Sequence, residues 1–288
     1  MSILLKFLSA YTRTGLRGSY RLTRALSSRL SSLQDVMVDA DGGPVFIDLR
    51  IATARGLLAN PRSQSGEAEV MRRFINEGDV VFDIGAHFGV YSVLMSSIVG
   101  DRGHVFAFEP NPQMLPSIQK TVGLRPNIDL FECGLSDSEG ELVLYVPEDA
   151  SMASFSNWTE GIGGNVHTEK CRLMTIDGLL EKKKIRPPAF IKCDVEGAEL
   201  SVFKGARKLI DREEAPVILF ELNRSAAAAF GYKVEDCLQF LTTFTAPSYS
   251  FYEVTQAGVE KLTDFSINYA NVLALPARRV TRVDGEVQ

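Results

Sequence analysis

The stretch VVFDIGAHFGVYS, residues 80–92, places an apolar run directly before two glycines that lie four residues apart. The run from Val80 to Ile84 is typical of a strand buried inside a parallel sheet. Gly85 and Gly89 predict a turn that leads into a helix over 89–99. A strand followed by a glycine turn and a helix holds nucleotide-like ligands in many α/β folds. This stretch therefore predicts a parallel sheet with a ligand at its carboxyl edge.

Strands and helices alternate along most of the chain, which indicates a mostly parallel sheet with helices on both faces. The last two predicted strands have no helix between them and are expected to pair as an antiparallel hairpin. Residues 148–170 are polar and rich in Gly and Ser, which predicts a long lid or binding loop. The predicted strands cover 36–50 (a hairpin), 79–84, 104–109, 127–135, 141–147, 189–195, 216–222, 248–255 and 268–276. The predicted helices cover 67–79, 89–99, 112–122, 175–183, 196–210 and 233–243.

Composition limits the functional classes. With 288 residues, of which 45% are hydrophobic, the chain is long enough for a sizeable core. A net charge of −5 argues against general nucleic-acid affinity, so no nucleic-acid partner is expected. The four cysteines are scattered without a C-x-x-C pair, which disfavours a zinc site or disulfide framework and favours a reducing, cytoplasmic location. No apolar stretch approaches the ~20 residues that span a bilayer.

Residues 1–34 carry six cations and no acid. On a helical wheel, apolar side chains share one side and arginines the other. Gly15 and Gly18 are expected to divide the segment into two short helices. The preferred interpretation is an arm packed on the domain. The alternatives are a membrane-surface or partner-binding helix, peripheral at the inner membrane face, and an organellar transit segment. The apolar set is Leu4, Leu8, Tyr11, Leu22, Leu26 and Leu30, and the basic set is Arg13, Arg17, Arg21 and Arg24.

An acid ends the second strand of the alternating region. Glu109 follows Gly85 by 24 residues, which is where an acid accepts the hydroxyls of an adenosine ribose. Glycines allow close backbone approach, and the N–H groups of a helix start favour an anion such as a carboxylate. A dinucleotide turn reads G-x-G-x-x-G, whereas this turn reads G-A-H-F-G. The spacing therefore favours a nucleoside that carries an amino-acid carboxylate, and a nicotinamide-dependent oxidoreductase remains as the alternative.

Four stretches together resemble the successive motifs of the FkbM family of S-adenosylmethionine-dependent methyltransferases. They are VVFDIGAHFGVYSVLMS, GHVFAFEPNP, GLSDSEGELVLY and IKCDVEGAELSVFKGA, and the resemblance covers about residues 67–275. It implies a class I methyltransferase fold, a Rossmann-like three-layer α/β sandwich with a seven-stranded, mostly parallel sheet and an antiparallel last strand. It also implies methyl transfer to a hydroxyl of a sugar, glycan or related secondary metabolite.

The charge pattern, the predicted elements and the resemblance together divide the chain into four parts. Residues 1–34 form the basic N-terminal arm, 35–66 a hairpin and linker, 67–278 the methyltransferase domain and 279–288 a C-terminal tail. The oligomeric state is left open.

By position, the resemblance assigns S-adenosylmethionine contacts to residues that follow three successive strands. The family commonly has Asn where this chain has His87, and a histidine there still donates to a carboxylate, with a charge that depends on pH. The assigned residues are Asp83, Gly85, Ala86, His87 and Gly89, then Glu109, Pro110 and Asn111, and then Gly134, Leu135, Ser136 and Asp137.

The stretch KCDVEGAE, residues 192–199, is the expected catalytic region. A sugar hydroxyl is a poor nucleophile and needs a general base or a metal. Asp194 ends the fourth strand of the domain, beside the transferred methyl, and is the proposed base as well as a cofactor contact. Lys192 lies on the same side of that strand, and Glu196 begins the next turn. Acids at a helix start also have a purely structural role, which is preferred for Glu199.

Glu221 ends the neighbouring strand, with Asn223 close behind it, so both are expected near Asp194. Their oxygens, with those of Asp194 and Glu196, suit either Mg²⁺ or sugar hydroxyls. Sugar contacts are preferred because nothing in the spacing demands a metal. Trp158 and His167 in the long loop are predicted acceptor contacts, with Trp158 stacking on a sugar face. A third functional hypothesis is a non-catalytic cofactor-binding module docked through the arm.

Overall fold

A computed structural model describes residues 3–16, 18–62, 65–147, 150–160, 165–183 and 185–280. Of the predicted arm and tail, Arg17 and residues 281–288 lie outside the described residues. The helices are α1 (Ile3–Arg13), α2 (Ser19–Ser27), α3 (Ala52–Ala59), α4 (Gly66–Phe74), α5 (Val90–Val99), α6 (Leu115–Val122), α7 (Ile176–Lys183), α8 (Glu199–Lys204), α9 (Arg207–Ile210), α10 (Arg224–Ala229) and α11 (Val234–Thr242). The strands are β1 (Val36–Ala40), β2 (Gly43–Ile47), β3 (Val80–Ile84), β4 (His104–Phe108), β5 (Ile128–Phe131), β6 (Gly134–Leu135), β7 (Gly140–Val146), β8 (His167–Met174), β9 (Phe190–Cys193), β10 (Val217–Asn223), β11 (Ser250–Thr255), β12 (Gly258–Lys261) and β13 (Tyr269–Leu275).

The main sheet has eight strands within the described residues, in the order β12-β11-β13-β10-β9-β3-β4-β5. The five strands from β10 to β5 in this order are mutually parallel, and β13 runs antiparallel to both β10 and β11. Seven of these strands form the predicted class I sheet with its antiparallel last strand. The eighth, β12, extends the edge because a tight turn after Thr255 lets the chain pair back on β11.

The register of the central strands brings their carboxyl ends together. Ile84 lies opposite Phe108 on one side and Cys193 on the other. Lys192 lies opposite Leu219 of β10. The residues that follow β3, β4, β9 and β10 therefore meet at one edge of the sheet, as the sequence predicts.

Helices cover both faces of the sheet, so the fold is the predicted three-layer sandwich. Val81 and Leu219 point into a core that contains Phe74 of α4, and Phe82 and Ile218 point into the core on the opposite face. β3 and β9 are buried at every position, which explains why they read as continuous apolar runs.

A second sheet, with the order β6-β8-β7, extends the region after β5. The predicted strand 127–135 ends at Phe131, and Gly134 and Leu135 pair with β8 instead. The predicted loop 148–170 is shorter than expected, because His167 already begins β8. Most of the first four residues of β8 are exposed and polar, so the composition of that part of the strand resembles the composition of a loop. α3, α10 and β12 were also absent from the predicted elements.

The N-terminal segments pack directly on the sandwich. The β1–β2 hairpin contacts α6, where the Phe46 N–H donates to Thr121 Oγ1 at 2.9 Å. α1 contacts α3, where Ser9 Oγ donates to the Leu58 carbonyl at 2.9 Å. The predicted break between two arm helices is confirmed, with positive φ at both Gly15 and Gly18.

The predicted leucine face of the arm is only partly turned inward. Leu8 is buried, but Leu22 and Leu30 are each 39% exposed, and α2 buries hydroxyl side chains instead. These residues allow close packing, since they are small and bond locally, as Thr23 Oγ1 does to the Ser19 carbonyl. Across the described ranges, no helix combines the length and apolarity that crossing a bilayer requires.

Candidate active site

The turn after β3 lies against the end of β9. Gly85 has φ 81°, and a Cβ added there would lie 1.9 Å from the Asp194 carbonyl oxygen, so only glycine fits. His87 has φ 55° and Gly89 has φ 81°. Asn and His occupy the left-handed region more readily than most residues, so His87 preserves the turn that the family's Asn forms.

Glu109 links the turns that follow β3 and β4. Its side chain is buried, and its two oxygens accept the backbone N–H groups of His87 at 2.7 Å and Asn111 at 2.8 Å. Burial raises the pKa of Glu109 to about 7, although the two N–H donors oppose that rise. The carboxylate keeps lone pairs for further donors.

A cavity that is partly open to solvent extends from Glu109 toward β6, with about 600 Å³ of empty space when the open part is included. Phe155 closes one side, and a Cβ on Gly134 would lie 2.6 Å from its ring, so the backbone of β6 and the ring are in contact. An acid at one side and apolar walls at the other suit a ribose and a purine. Of the predicted cofactor residues, the lining includes Gly85, His87, Glu109, Pro110, Asn111, Gly134, Leu135 and Asp194.

The remaining predicted cofactor residues do not line this cavity. Asp83 is buried beneath the turn, where Oδ2 accepts Ser92 Oγ at 2.5 Å. Burial raises the pKa of Asp83, and the charge of Lys192 opposes that rise. Its Oδ1 has no hydrogen-bond partner among the described residues. Ala86 lines a neighbouring cleft, and Ser136 and Asp137 line a separate surface cavity.

A second cleft of about 1170 Å³, open to solvent, lies between α3 and α4 and the ends of β9 and β10. Thr53 and Leu57 of α3 form part of its outer wall, and Tyr91 forms part of its inner wall. The two cavities share one wall, which consists of Gly85, His87, Ser151, Asp194 and Glu196. Asp194 therefore borders both cavities.

Three carboxyl groups converge at the shared wall. Carboxylate oxygens of Asp194, Glu196 and Glu221 all lie within 4.8 Å of one another. Lys192 Nζ donates to Asp194 Oδ2 at 2.9 Å and lies 4.9 Å from the centroid of the Tyr91 ring. Burial alone lowers the pKa of Lys192, but the charges of Asp194 and Asp83 outweigh it and raise the pKa. Lys192 therefore stays charged and holds Asp194 in place.

The other two carboxyl groups favour their protonated forms. Burial, and then the charges of Asp194 and Glu221, raise the pKa of Glu196 to about 9. Burial and the charge of Asp194 raise the pKa of Glu221 to about 7, and the Tyr269 hydroxyl, which donates to it at 2.7 Å, opposes that rise. At neutral pH the cluster therefore offers both donors and acceptors. Oxygens at this spacing also suit a hard cation such as Mg²⁺, which would displace the protons.

Glu196 lies in a strained backbone conformation, with φ 52°. Its carbonyl accepts Ser154 Oγ at 2.7 Å, so the segment after β7 holds this turn. Glu199 accepts the N–H groups of Val195 and Gly197 at 3.1 and 3.3 Å. Glu199 therefore orders the turn, which agrees with its structural interpretation.

Three predicted acceptor residues do not line either cavity. Asn223 Oδ1 accepts the N–H groups of Ser225 and Ala226, so its side chain caps α10. His167 is exposed at the start of β8 and pairs with Gln113 Nε2 at 2.8 Å. Trp158 is half-buried, away from both cavities.

Sequence reasoning did not identify Tyr91, Thr53 or Tyr269 as site residues. Tyr91 lies inside a helix and Thr53 inside one that was not predicted, so neither had a local signal. Tyr269 begins the antiparallel last strand and pairs with Asn223 of β10, so the predicted topology contained a signal for it.

Comparison with known proteins gives a consistent family. The family model described as "Methyltransferase FkbM domain" matches residues 83–251. Hexuronic acid methyltransferase AglP of Haloferax volcanii is 30% identical over 148 residues, covering 50% of this chain and 58% of that protein. AMB antimetabolite synthetase AmbE of Pseudomonas aeruginosa is 26% identical over 160 residues, covering 44% of this chain and 8% of that protein. The chain spans less than two thirds of the length of either relative.

Solved structures of methyltransferases are also similar. The FkbM methyltransferase from Methylobacillus flagellatus is 16% identical, with coverage of 88% of this chain and 58% of that one and a TM-score of 0.44. The O-methyltransferase from Bacillus cereus in complex with SAH is 13% identical, with coverage of 78% and 86% and a TM-score of 0.46.

Proposed function

The chain belongs to the FkbM methyltransferase family, and from that premise we propose that it methylates a hydroxyl oxygen of a sugar or glycan. S-adenosylmethionine is the methyl donor, and as a sulfonium it supplies an electrophilic methyl group when bound. The proposed donor site is the cavity at Glu109, and the proposed acceptor site is the open cleft beneath α3. The observation that carries this proposal is the wall that the two cavities share, which includes Asp194 and Glu196.

Glu109 is proposed to hold the ribose of the donor. Its oxygens already accept two backbone N–H groups, which fixes the carboxylate in place before a ligand arrives. The apolar walls beside Phe155 and Leu135 are proposed to take the adenine. Positioning of this kind contributes much of the acceleration in transfer between two bound molecules.

Asp194 is proposed to take the acceptor's proton. As the hydroxyl oxygen forms its bond to the methyl carbon, the bond from that carbon to sulfur breaks, and the hydroxyl proton passes to the Asp194 carboxylate. Lys192 Nζ donates to Oδ2 of this carboxylate and orients it. General-base assistance of this kind contributes roughly 10²–10⁴-fold. Protonated Glu196 donates a hydrogen bond to an acceptor oxygen, and Glu221 binds a second hydroxyl.

The charges in the cleft favour a neutral hydroxyl over a carboxylate as the methylated group. Three carboxyl groups lie within 4.8 Å of one another and one cation, Lys192, is paired to one of them, so an acceptor carboxylate would be a fourth acid at this place, whereas a hydroxyl adds no charge. The name of the Haloferax volcanii relative, a hexuronic acid methyltransferase, supports a sugar acceptor and does not specify which group of the sugar is methylated.

The test is a transfer assay with labelled S-adenosylmethionine and a panel of neutral sugars, hexuronic acids and glycans, read by mass spectrometry for an added CH₂. A product carrying the methyl as an ether on a hydroxyl supports the proposal. Methylation of a uronic acid carboxyl alone contradicts it. In the same assay Asp194→Asn is expected to lower turnover, and Asp101→Asn, which changes an exposed acid at the opposite edge of the sheet, is its control.

A further inference from the structure

The N-terminal arm, residues 1–34, packs on the protein mainly through small hydroxyl side chains. Ser9 Oγ bonds to the Leu58 carbonyl, and the Arg13 guanidinium donates to the Ala59 carbonyl. The same face buries Leu8 and packs Leu4, Leu5 and Leu26 against the core, so it covers only part of the arm's apolar side chains. The residues buried in α1 and α2 are Leu8, Ser9, Thr12, Ser19, Thr23 and Ser27.

The exposed surface of the arm carries large apolar side chains. Among the described residues, eleven large hydrophobic side chains are exposed, and six of them lie within the first 30 positions. Scattered exposed apolar residues are normal, but this concentration on one short segment indicates a surface that is covered in use. The six are Ile3 (88% exposed), Phe7 (55%), Leu16 (58%), Tyr20 (47%), Leu22 (39%) and Leu30 (39%).

The charge of the arm indicates what covers it. The chain has a net charge of −5, and the arm has six cations and no acid, so the remainder carries −11. Lys6, Arg21 and Arg29 are exposed on the same two helices and their flank. Basic residues interspersed with exposed apolar side chains are typical of helices that lie on an anionic bilayer. The acidic remainder is repelled by such a surface, so the protein has one preferred orientation on it.

The arm also lies next to the open cleft. α1 packs on α3 through the contacts at Leu58 and Ala59, and Thr53 and Leu57 of that same helix line the cleft. Only α3 therefore lies between the arm, with whatever the arm binds, and the cleft.

We propose that residues 3–30 dock the protein on the surface of an anionic lipid bilayer, with the apolar side chains inserted and the cations at the headgroups. If the cleft binds the methyl acceptor, which rests on the proposed function, docking presents it to an acceptor carried at that surface.

The test is cosedimentation of the full chain with vesicles of phosphatidylglycerol and phosphatidylcholine in equal parts, with pure phosphatidylcholine vesicles as reference. We expect binding to the anionic vesicles that weakens as salt is raised. Arg21→Gln/Arg29→Gln reduces binding by roughly fivefold for each removed cation. Phe7→Ser/Leu22→Ser reduces it at least tenfold. Leu124→Ser/Leu142→Ser removes two comparably exposed apolar side chains outside the arm and leaves binding unchanged.

Thermal unfolding of each variant shows that it is folded. The proposal is overturned if the intact chain does not bind anionic vesicles at low salt. It is likewise overturned if the arm variants bind these vesicles as tightly as the Leu124→Ser/Leu142→Ser control. It is also overturned if the chain is a dimer in solution that the arm variants dissociate, because a second copy then covers the face. The vesicle assay does not measure methyl transfer, so a lack of vesicle binding does not contradict the proposed function. A lack of methyl transfer likewise does not contradict the docking proposal.

Discussion

Replacing Glu109 with Gln tests how the donor is held. The carboxylate is buried, is fixed by the His87 and Asn111 N–H groups, and faces the cavity assigned to the donor. Gln keeps the shape and removes the charge and one acceptor group. Hydrogen bonds to a charged group contribute about 1.5–3 kcal/mol, so the dissociation constant of S-adenosylhomocysteine is expected to rise roughly 10- to 150-fold.

The pH dependence sharpens this test. Burial raises the pKa of Glu109 to about 7, so the carboxylate is ionised above that pH and protonated below it. The ionised form accepts from both ribose hydroxyls, whereas the protonated form loses an acceptor. Affinity of the native chain is therefore expected to rise with pH through about 7 and then level off, while Glu109→Gln shows no such rise.

Isothermal titration calorimetry with S-adenosylhomocysteine between pH 5.5 and 8.5, a window of roughly 1.5 units on each side of that pKa, measures both effects. Glu132→Gln is the matched control, because Glu132 follows the next strand at the same edge and is exposed. Glu109→Gln also leaves a backbone N–H without its acceptor, so its folding is checked by thermal unfolding. Affinity within twofold of the native chain, with an unchanged pH profile, would refute the assignment.

Three further predictions concern the carboxyl cluster. Asp194→Asn is expected to lower kcat by roughly 10²–10⁴-fold and to leave donor affinity nearly unchanged, while Asp101→Asn changes neither; loss of donor binding instead makes Asp194 a donor ligand. Turnover is expected to persist in EDTA, because Lys192 and the carboxyl protons offset the charge of the cluster. If turnover is lost in EDTA and is restored by Mg²⁺, the three carboxyl groups are metal ligands instead. The pKa of Glu196 is raised from 4.5 to about 9, so the folded state binds more protons than the unfolded state between these values. The free energy of unfolding of the ligand-free protein therefore falls as pH rises through that window, and Glu196→Gln is expected to flatten this fall. Denaturant titrations at several pH values measure the effect. The prediction is contradicted if the native chain and Glu196→Gln show the same dependence of unfolding free energy on pH.

The donor side of the site is largely predictable from sequence because its determinants are local. Gly85 and Glu109 each follow a buried strand directly, and parallel strands bring their carboxyl ends together. Asp194 and Glu221 were placed near each other by the same rule, and the structure brings their carboxyl oxygens within 4.8 Å. What these residues do in catalysis remains a prediction.

The acceptor side was less predictable because its residues come from distant or weakly patterned segments. α3 has the sequence ATARGLLA, with no side-chain cap, and so no clear helix start marks Thr53. Trp158 and His167 are predicted as acceptor contacts because they lie in a polar stretch, but tertiary packing sets the path of such a stretch over the surface. In the arm, hydroxyl side chains compete with the leucines for the inward face, so Leu22 and Leu30 of the predicted apolar side stay exposed.

The outer wall of the acceptor cleft, formed by Thr53, Leu57, Pro61 and Ser65, precedes residue 83, where the family match begins. The proposed catalytic carboxyl groups and the proposed donor cavity lie within the matched region, as does Tyr91 on the other wall of the cleft. One wall of the cleft is therefore built from residues that the family match does not cover. Substitutions at Thr53, Leu57 and Pro61 are expected to change which acceptor the cleft admits without changing donor affinity.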